Sequence, residues 1–404
     1  MRSTALTAAL CLSLTVGCGG SSDVTVVDDV PGYDAPDLST PPAFDASVAD
    51  VTATVDAPVT VDAPTVVDVP SVVDAPTVVD VPAVVDAGEP ITAPERRWTW
   101  VEVPGARCAD GSPTGFGVNL VNDDPTRVVI FLQGGGACWD DASCLGPVPT
   151  SFYVTTGYGR LAFETDVLRP VMFPLQRANP LNPWRDTNLV YVPYCTGDVH
   201  AGDRVTTYSF LGRRMDFHHV GARNLDLFLR RVVASFPRAR RVWLMGDSAG
   251  GFGAALNMDR VQRAFPAARV DVVDDSGQPV QPAGTRWAEW RRAWNLQLPE
   301  GCASCDDIGS IAELLRARYP HNRFGLVSYT HDSVIATFMG MTVFAFNAGL
   351  NDFARAMSSR WVNGRYFFIP GALHVGFATT TPALARWLTA LATDDPAWRN
   401  EGGP

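Results

Sequence analysis

Lysine is absent from all 404 residues, so the 32 basic side chains are arginines. Without it there is no G-x-x-x-x-G-K-[ST] loop, and an NTPase site of that kind is excluded. Long apolar runs are also missing. The stretch from Ala5 to Val16 has ~12 residues, against the ~20 that a bilayer-spanning helix needs. Basic residues are missing from Gly19 to Pro94, where 14 acidic residues account for the formal net charge of −11. The remainder is near neutral and has no basic stripe of the kind that holds nucleic acid. No second cysteine pair accompanies Cys302-x-x-Cys305 at zinc-ligand spacing. The expectation is therefore no metal, no cofactor and no nucleic-acid partner.

What is present begins with an export signal: Arg2, the apolar run, then small residues. Gly17 stands directly before Cys18 in "LTVGCGGSS", which resembles a bacterial lipoprotein cleavage box. Thr15 occupies the position where leucine is usual, with Leu14 one place early. Residues 1–18 are thus expected to be a signal ending at a lipidated Cys18. That implies a bacterial cell-envelope lipoprotein at the outer membrane or cell surface. Cys11 also falls in this signal. The six cysteines outside it (Cys108, Cys138, Cys144, Cys195, Cys302 and Cys305) are an even number, and in an exported protein they are disulfide candidates.

From Val51 to Ala87 the chain repeats Val-Asp, Ala or Val, then Pro, in units of five or six. Proline at that density blocks helices and central strands, and the aspartates repel one another. Residues 19–95 are expected to form a disordered acidic tether. From 96 to 400 the pattern becomes globular. "RVVIFL" (127–132), "NLVYVPY" (188–194), "RVWLM" (241–245), "RVDVV" (269–273), "FGLVSYT" (324–330) and "RYFFIP" (365–370) read as buried strands. Helical spacing over 220–236, 249–264, 343–357 and 381–392 alternates with them. This predicts one α/β domain whose mostly parallel sheet has helices on both faces.

Gly246-Asp247-Ser248-Ala249-Gly250 fits G-x-S-x-G between a predicted strand and a predicted helix, the context of a nucleophile elbow. The same letters, "GDSAGG", also occur around the serine of chymotrypsin-type proteases, but those need His and Asp before the serine. An α/β-hydrolase needs them after it. Of the six histidines, only His321, His331 and His374 follow Ser248. His374 sits just past the last predicted strand, where its loop can reach over the sheet edge. It is the expected general base. The acid lies after one of two strands, at Asp274 or Asp275 in "DVVDDSG" or at Asp332 in "SYTHDSV". Asp332 has the better claim because its strand immediately precedes the one leading to His374. Gly134, Gly135 and Gly136, directly after the first buried strand, are suited to present bare backbone N–H groups to an oxyanion.

Four segments in order resemble the pectin acetylesterase/Notum family of α/β-hydrolases. They are Gly134-Gly135-Gly136-Ala137-Cys138, Tyr194-Cys195-Thr196-Gly197, Gly246 to Gly251, and Asp275-Ser276-Gly277. The resemblance spans about Cys108 to His374. It implies a serine carboxylic-ester hydrolase with Ser248, His374 and Asp332 as triad, and backbone oxyanion donors at Gly135, Gly136 and Ala249. It also implies a Cys138–Cys144 bridge and a site wall at Asp275, with Trp139 beside it. Two positions depart from the family pattern. Ala137 stands where plant members have tryptophan, with Trp139 following Cys138, and Asp247 stands where cysteine is usual. The expected substrate is an acylated carbohydrate carrying acetyl or other acyl groups. The alternatives are a lipase or polyester depolymerase, a protein deacylase, or a tethered binding protein on an inactive scaffold.

Overall fold

Valine-rich runs that are apolar on both faces form strands because both faces of their sheet are covered. The computed structural model describes residues 88–121, 123–168, 171–302 and 305–403, all within one compact unit, Val79–Pro404. The export signal, Cys18 and nearly all of the acidic tether lie outside the described residues.

Among these the strands are β1 (Thr99–Arg107), β2 (Pro113–Asn119), β3 (Arg127–Leu132), β4 (Asn188–Val192), β5 (Arg204–Phe210), β6 (Arg213–His219), β7 (Arg241–Asp247), β8 (Arg269–Asp275), β9 (Phe324–Tyr329) and β10 (Gly364–Ile369). The helices are α1 (Asp141–Leu145), α2 (Arg160–Leu168), α3 (Gly221–Ser235), α4 (Ala249–Ala264), α5 (Arg286–Trp294), α6 (Ile308–Arg318), α7 (Ser333–Phe338), α8 (Val343–Arg360) and α9 (Pro382–Ala392).

Eight strands make one sheet in the order β1-β2-β4-β3-β7-β8-β9-β10, and β5 pairs with β6 separately. From β4 to β10 the neighbours are parallel, while β1 and β2 join antiparallel at one end. Alternation along the strands divides the core in two. Val128, Ile130 and Leu132 of β3, with Val242 and Leu244 of β7, pack with α3, α4, α6 and α8 on one face. Val129, Phe131, Trp243 and Met245 pack on the other, against α9 and the buried Trp184.

Every expected strand and helix is present within a few residues. The structure adds the β1–β2 pair, the β5–β6 hairpin and several short helices. Ordered packing also begins before residue 96: the Ile91 N–H donates to Ser235 Oγ on α3 at 2.8 Å. Three disulfides join Cys108 to Cys195, Cys138 to Cys144 and Cys302 to Cys305. Because the strands are parallel, the segments after β3, β4, β7, β8, β9 and β10 all leave from one edge. In open α/β sheets that carboxyl edge is where ligands bind.

Candidate active site

Ser248 joins β7 to α4 with φ 53° and ψ −120°, a backbone conformation that costs about 1–3 kcal/mol for a residue other than glycine. Its N–H donates to the Asp275 carbonyl at 2.7 Å, and its own carbonyl accepts from Phe252 N–H at 3.1 Å. The side chain makes no capping bond to α4 although Ser248 sits at the cap position, so the hydroxyl is left for other work. The flanking glycines are set by close approach. A Cβ at Gly246 would lie 2.0 Å from the Gly250 carbonyl oxygen, and one at Gly250 would lie 2.0 Å from that of Leu132.

Ala249 opens α4, so its N–H has no partner within the helix and lies at the positive end of the helix dipole. Gly135 and Gly136 come from the loop after β3. Gly136, with φ 78°, bridges Ser151: Phe152 N–H donates to the Gly135 carbonyl at 2.9 Å and Ala137 N–H to that of Thr150 at 3.2 Å. That pairing leaves the N–H groups of Gly135, Gly136 and Ala249 without an acceptor among the described residues. The loop is firmly held. Besides the Cys138–Cys144 disulfide, Cys138 N–H donates to the Gly197 carbonyl at 3.0 Å and Trp294 Nε1–H to the Cys138 carbonyl at 2.7 Å. Tyr194 N–H donates to Gln133 Oε1, and His200 Nε2–H donates to the Gln133 carbonyl at 2.8 Å. Burial holds His200 well below the usual imidazole range, at about 4, so the ring is neutral.

His374 Nδ1 lies 2.7 Å from Asp332 Oδ2. Asp332 is fully buried, and its Oδ1 accepts from Val334 and Ile335 N–H at 3.1 and 3.0 Å at the start of α7. One oxygen therefore fixes the carboxylate to the chain and the other orients the imidazole, and Nε2 has no partner among the described residues. Asp275, the alternative acid, is committed elsewhere. Its carboxylate accepts from Gly376 N–H at 2.9 Å and Phe377 N–H at 2.6 Å, and Ser276 Oγ accepts from Val375 N–H. The Asp275-Ser276-Gly277 segment thus holds the backbone just after His374.

Asp247 points inward, not to solvent. It is buried, and its Oδ1 accepts from Gly134 N–H at 3.2 Å, tying the glycine loop to the end of β7. Burial, with the neighbouring Asp275 charge, raises its carboxyl to about 7. Burial likewise raises Asp274 to about 8 and Asp275 to about 6.

Ser248, His374, Gly135, Gly136 and Asp247 line one cavity of about 500 Å³. Its walls are largely apolar, with Phe131, Phe152, Met172, Leu175 and Phe338 among them. Two expected wall residues are not in its lining. Asp275 is withdrawn beneath the loop it holds. Trp139 stands one layer behind, its ring 6.3 Å from Phe338, with the Arg286 guanidinium 4.4 Å over it. Sequence reasoning missed Gln133 and Asp166, polar residues in the same lining, since neither belongs to a motif. Cys138, Cys144 and His219 come within metal-ligand distance of one another. The two sulfurs are bonded to each other, however, and offer no thiolate.

A mostly parallel sheet with a strained serine at a strand-to-helix turn, and a histidine–aspartate pair just after later strands at the same edge, is the arrangement of the α/β-hydrolase fold. Residues 97–290 match the family model described as pectinacetylesterase. The chain is 30% identical over 216 residues to the palmitoleoyl-protein carboxylesterase NOTUM of Drosophila melanogaster, covering 48% of this chain and 31% of that one. Its Homo sapiens counterpart is 29% identical over 178 residues, covering 42% and 34%. The chain therefore spans about a third of the length of the curated relatives it matches. Among solved structures, the Wnt deacylase Notum from Drosophila superposes with a TM-score of 0.51 at 21% identity, covering 69% of this chain and 87% of that one. Over these residues the chain is similar to the pectin acetylesterase/Notum family.

Proposed function

We propose that this protein is an exported serine carboxylic-ester hydrolase that removes acyl groups from an acylated glycan. His374 Nε2 takes the proton of Ser248 Oγ as the serine attacks the ester carbonyl, and Asp332 holds the ring and balances the charge it acquires. The N–H groups of Gly135, Gly136 and Ala249 receive the oxyanion. The alcohol leaves with the proton from His374, and water then releases the acid from the acyl-enzyme by the same route. The observation that carries this reading is the 2.7 Å His374–Asp332 contact in a loop that shares one cavity with the strained Ser248. Three disulfides fit an oxidising compartment outside the cytoplasm. Lipid anchoring through Cys18 would place the domain on a membrane surface.

A cavity of about 500 Å³ is far larger than an acetyl group needs. That observation favours a second reading, hydrolysis of a longer acyl ester such as the relatives' names describe. A fluorophosphonate probe tests the mechanism: it should label the wild-type protein and not Ser248→Ala. Absence of label on folded wild type would make the chain a binding protein on an inactive scaffold. A panel of 4-nitrophenyl esters from acetate to palmitate then separates the two substrate readings.

A further inference from the structure

The lining of the catalytic cavity holds two carboxylates, Asp247 beside Ser248 and Asp166, and Asp166 is held by three side-chain donors through only one of its oxygens. Asp166, on α2, lines the cavity together with Ser248 and His374. Its Oδ2 accepts from Tyr158 Oη at 2.8 Å, Gln133 Nε2 at 3.1 Å and Tyr191 Oη at 3.4 Å. Its Oδ1 accepts from no group among the described residues, and it is not sealed away from solvent.

The three donors are themselves fixed. Gln133 accepts Tyr194 N–H through its side chain and the His200 ring through its carbonyl. The two phenols are held above their ordinary range, chiefly by burial, and stay protonated as donors. Asp166 is thus held in one orientation, among Phe131, Val167, Val171, Met172 and Leu175.

A carboxylate can only accept hydrogen bonds. In a chamber whose walls are largely apolar, such a group orients the ligand and selects for it. A plain alkyl chain laid against Oδ1 would remove its water and return nothing, leaving a charged acceptor unpaired. A hydroxyl in the same place would restore the bond. We propose that Asp166 determines specificity by accepting a hydrogen bond from a substrate hydroxyl, so that the moiety entering the cavity is hydroxylated and not a plain alkyl chain. The hydroxyl comes either from the acyl chain, as in a hydroxyacyl ester, or from the ring bearing the ester, as in a partly acylated sugar. This rests on the ester-hydrolase reading.

Two matched substrate pairs, each differing by one hydroxyl, separate the sources. They are 4-nitrophenyl 3-hydroxybutyrate against butyrate, and trans-1,2-cyclohexanediol monoacetate against cyclohexyl acetate. In the wild type, kcat/KM should favour the hydroxylated member of one pair by at least about tenfold, mainly through KM. The pair that responds identifies the source. Asp166→Leu should abolish that preference while improving hydrolysis of the deoxy member. Asp166→Asn, which keeps an acceptor but loses the charge, should fall between them and serves if the leucine variant does not fold. Equal loss on both members of the responding pair in either variant would make Asp166 a purely structural residue and overturn the proposal. So would the absence of any preference in the wild type. Failure of the wild type to hydrolyse any of the four esters or to react with fluorophosphonate would instead sink the ester-hydrolase reading itself.

Discussion

Asp332 and Asp275 are both fully buried at the carboxyl ends of neighbouring strands, yet their hydrogen bonds commit them to different roles. Asp332 spends one oxygen on the His374 ring, whereas Asp275 spends both on backbone N–H groups after it. Asp332→Asn keeps an acceptor for the start of α7 and loses the charge on the imidazole. It should lower kcat by roughly 10³–10⁴ with little change in stability. Asp275→Ala leaves two buried N–H groups unpaired and should destabilise by about 2–4 kcal/mol in denaturant titration. If Asp275→Asn abolishes hydrolysis while Asp332→Asn does not, the assignment of the acid is wrong. Asp247 adds a pH signature. Its carboxyl sits at about 7 in the fold against 3.8 for an ordinary aspartate, so from about pH 4 to 7 the native state holds a proton that the unfolded chain has released. Stability contributed by this group therefore falls as pH rises through that window. Asp247→Asn should gain in Tm over wild type as pH rises from 4 to 8, and the two should converge at pH 4. A difference in Tm independent of pH would contradict this.

At the scale of elements, the turn at Ser248 depends on α4 lying almost in contact with β3. Gly250→Ala would force a methyl group to within 2.0 Å of the Leu132 carbonyl oxygen, backbone against backbone. A loss of more than about 3 kcal/mol, or insoluble protein, is expected. Gly159→Ala is the control: nothing lies within 4 Å of a Cβ there, and its stability should stay within about 0.5 kcal/mol of wild type. The parallel strands were readable in advance because burial on both faces writes them as unbroken apolar runs. The β5–β6 hairpin was not. Its strands mix exposed charged residues with scattered aromatics and so show no unbroken apolar run, and its two-residue turn, Leu211-Gly212, has φ 45° and 81°. Such turns usually announce themselves as Asn-Gly or Asp-Gly, and leucine gives no such signal. β1 hides Pro104 and Gly105 within an irregular register. The positions of Ser248, Asp332 and His374 were legible because each follows a strand end, and chain order carries that information. Asp166 was not, because its place in the cavity depends on how α2 folds back over the sheet.

Across the whole molecule, the two edges of the sheet carry different burdens. The carboxyl edge holds the cavity. At the amino edge, Arg241 and Arg269 begin β7 and β8, and both meet the buried Asp271 carboxylate at 2.7 and 3.0 Å. Asp394, just after α9, binds the same two arginines and also Arg323, which precedes β9. Arg323 N–H completes the set by donating to Asp271 Oδ1 at 2.8 Å. This network ties the last helix to three central strands, on the side of the sheet away from Ser248. Removing one partner of a buried pair leaves the other charge uncompensated, which typically costs about 3–5 kcal/mol. Asp271→Ala should therefore be destabilised by that amount in denaturant titration, while Asp394→Ala, with a carboxylate that is 42% exposed, should lose less. Because neither residue touches the cavity, kcat of the folded fraction, counted by fluorophosphonate labelling, should remain within about twofold of wild type. A fall in kcat comparable to that of Asp332→Asn would mean that the amino edge controls the geometry of the site through the strands. Unchanged stability in Asp271→Ala would mean that the network is held together by solvent and not by the fold.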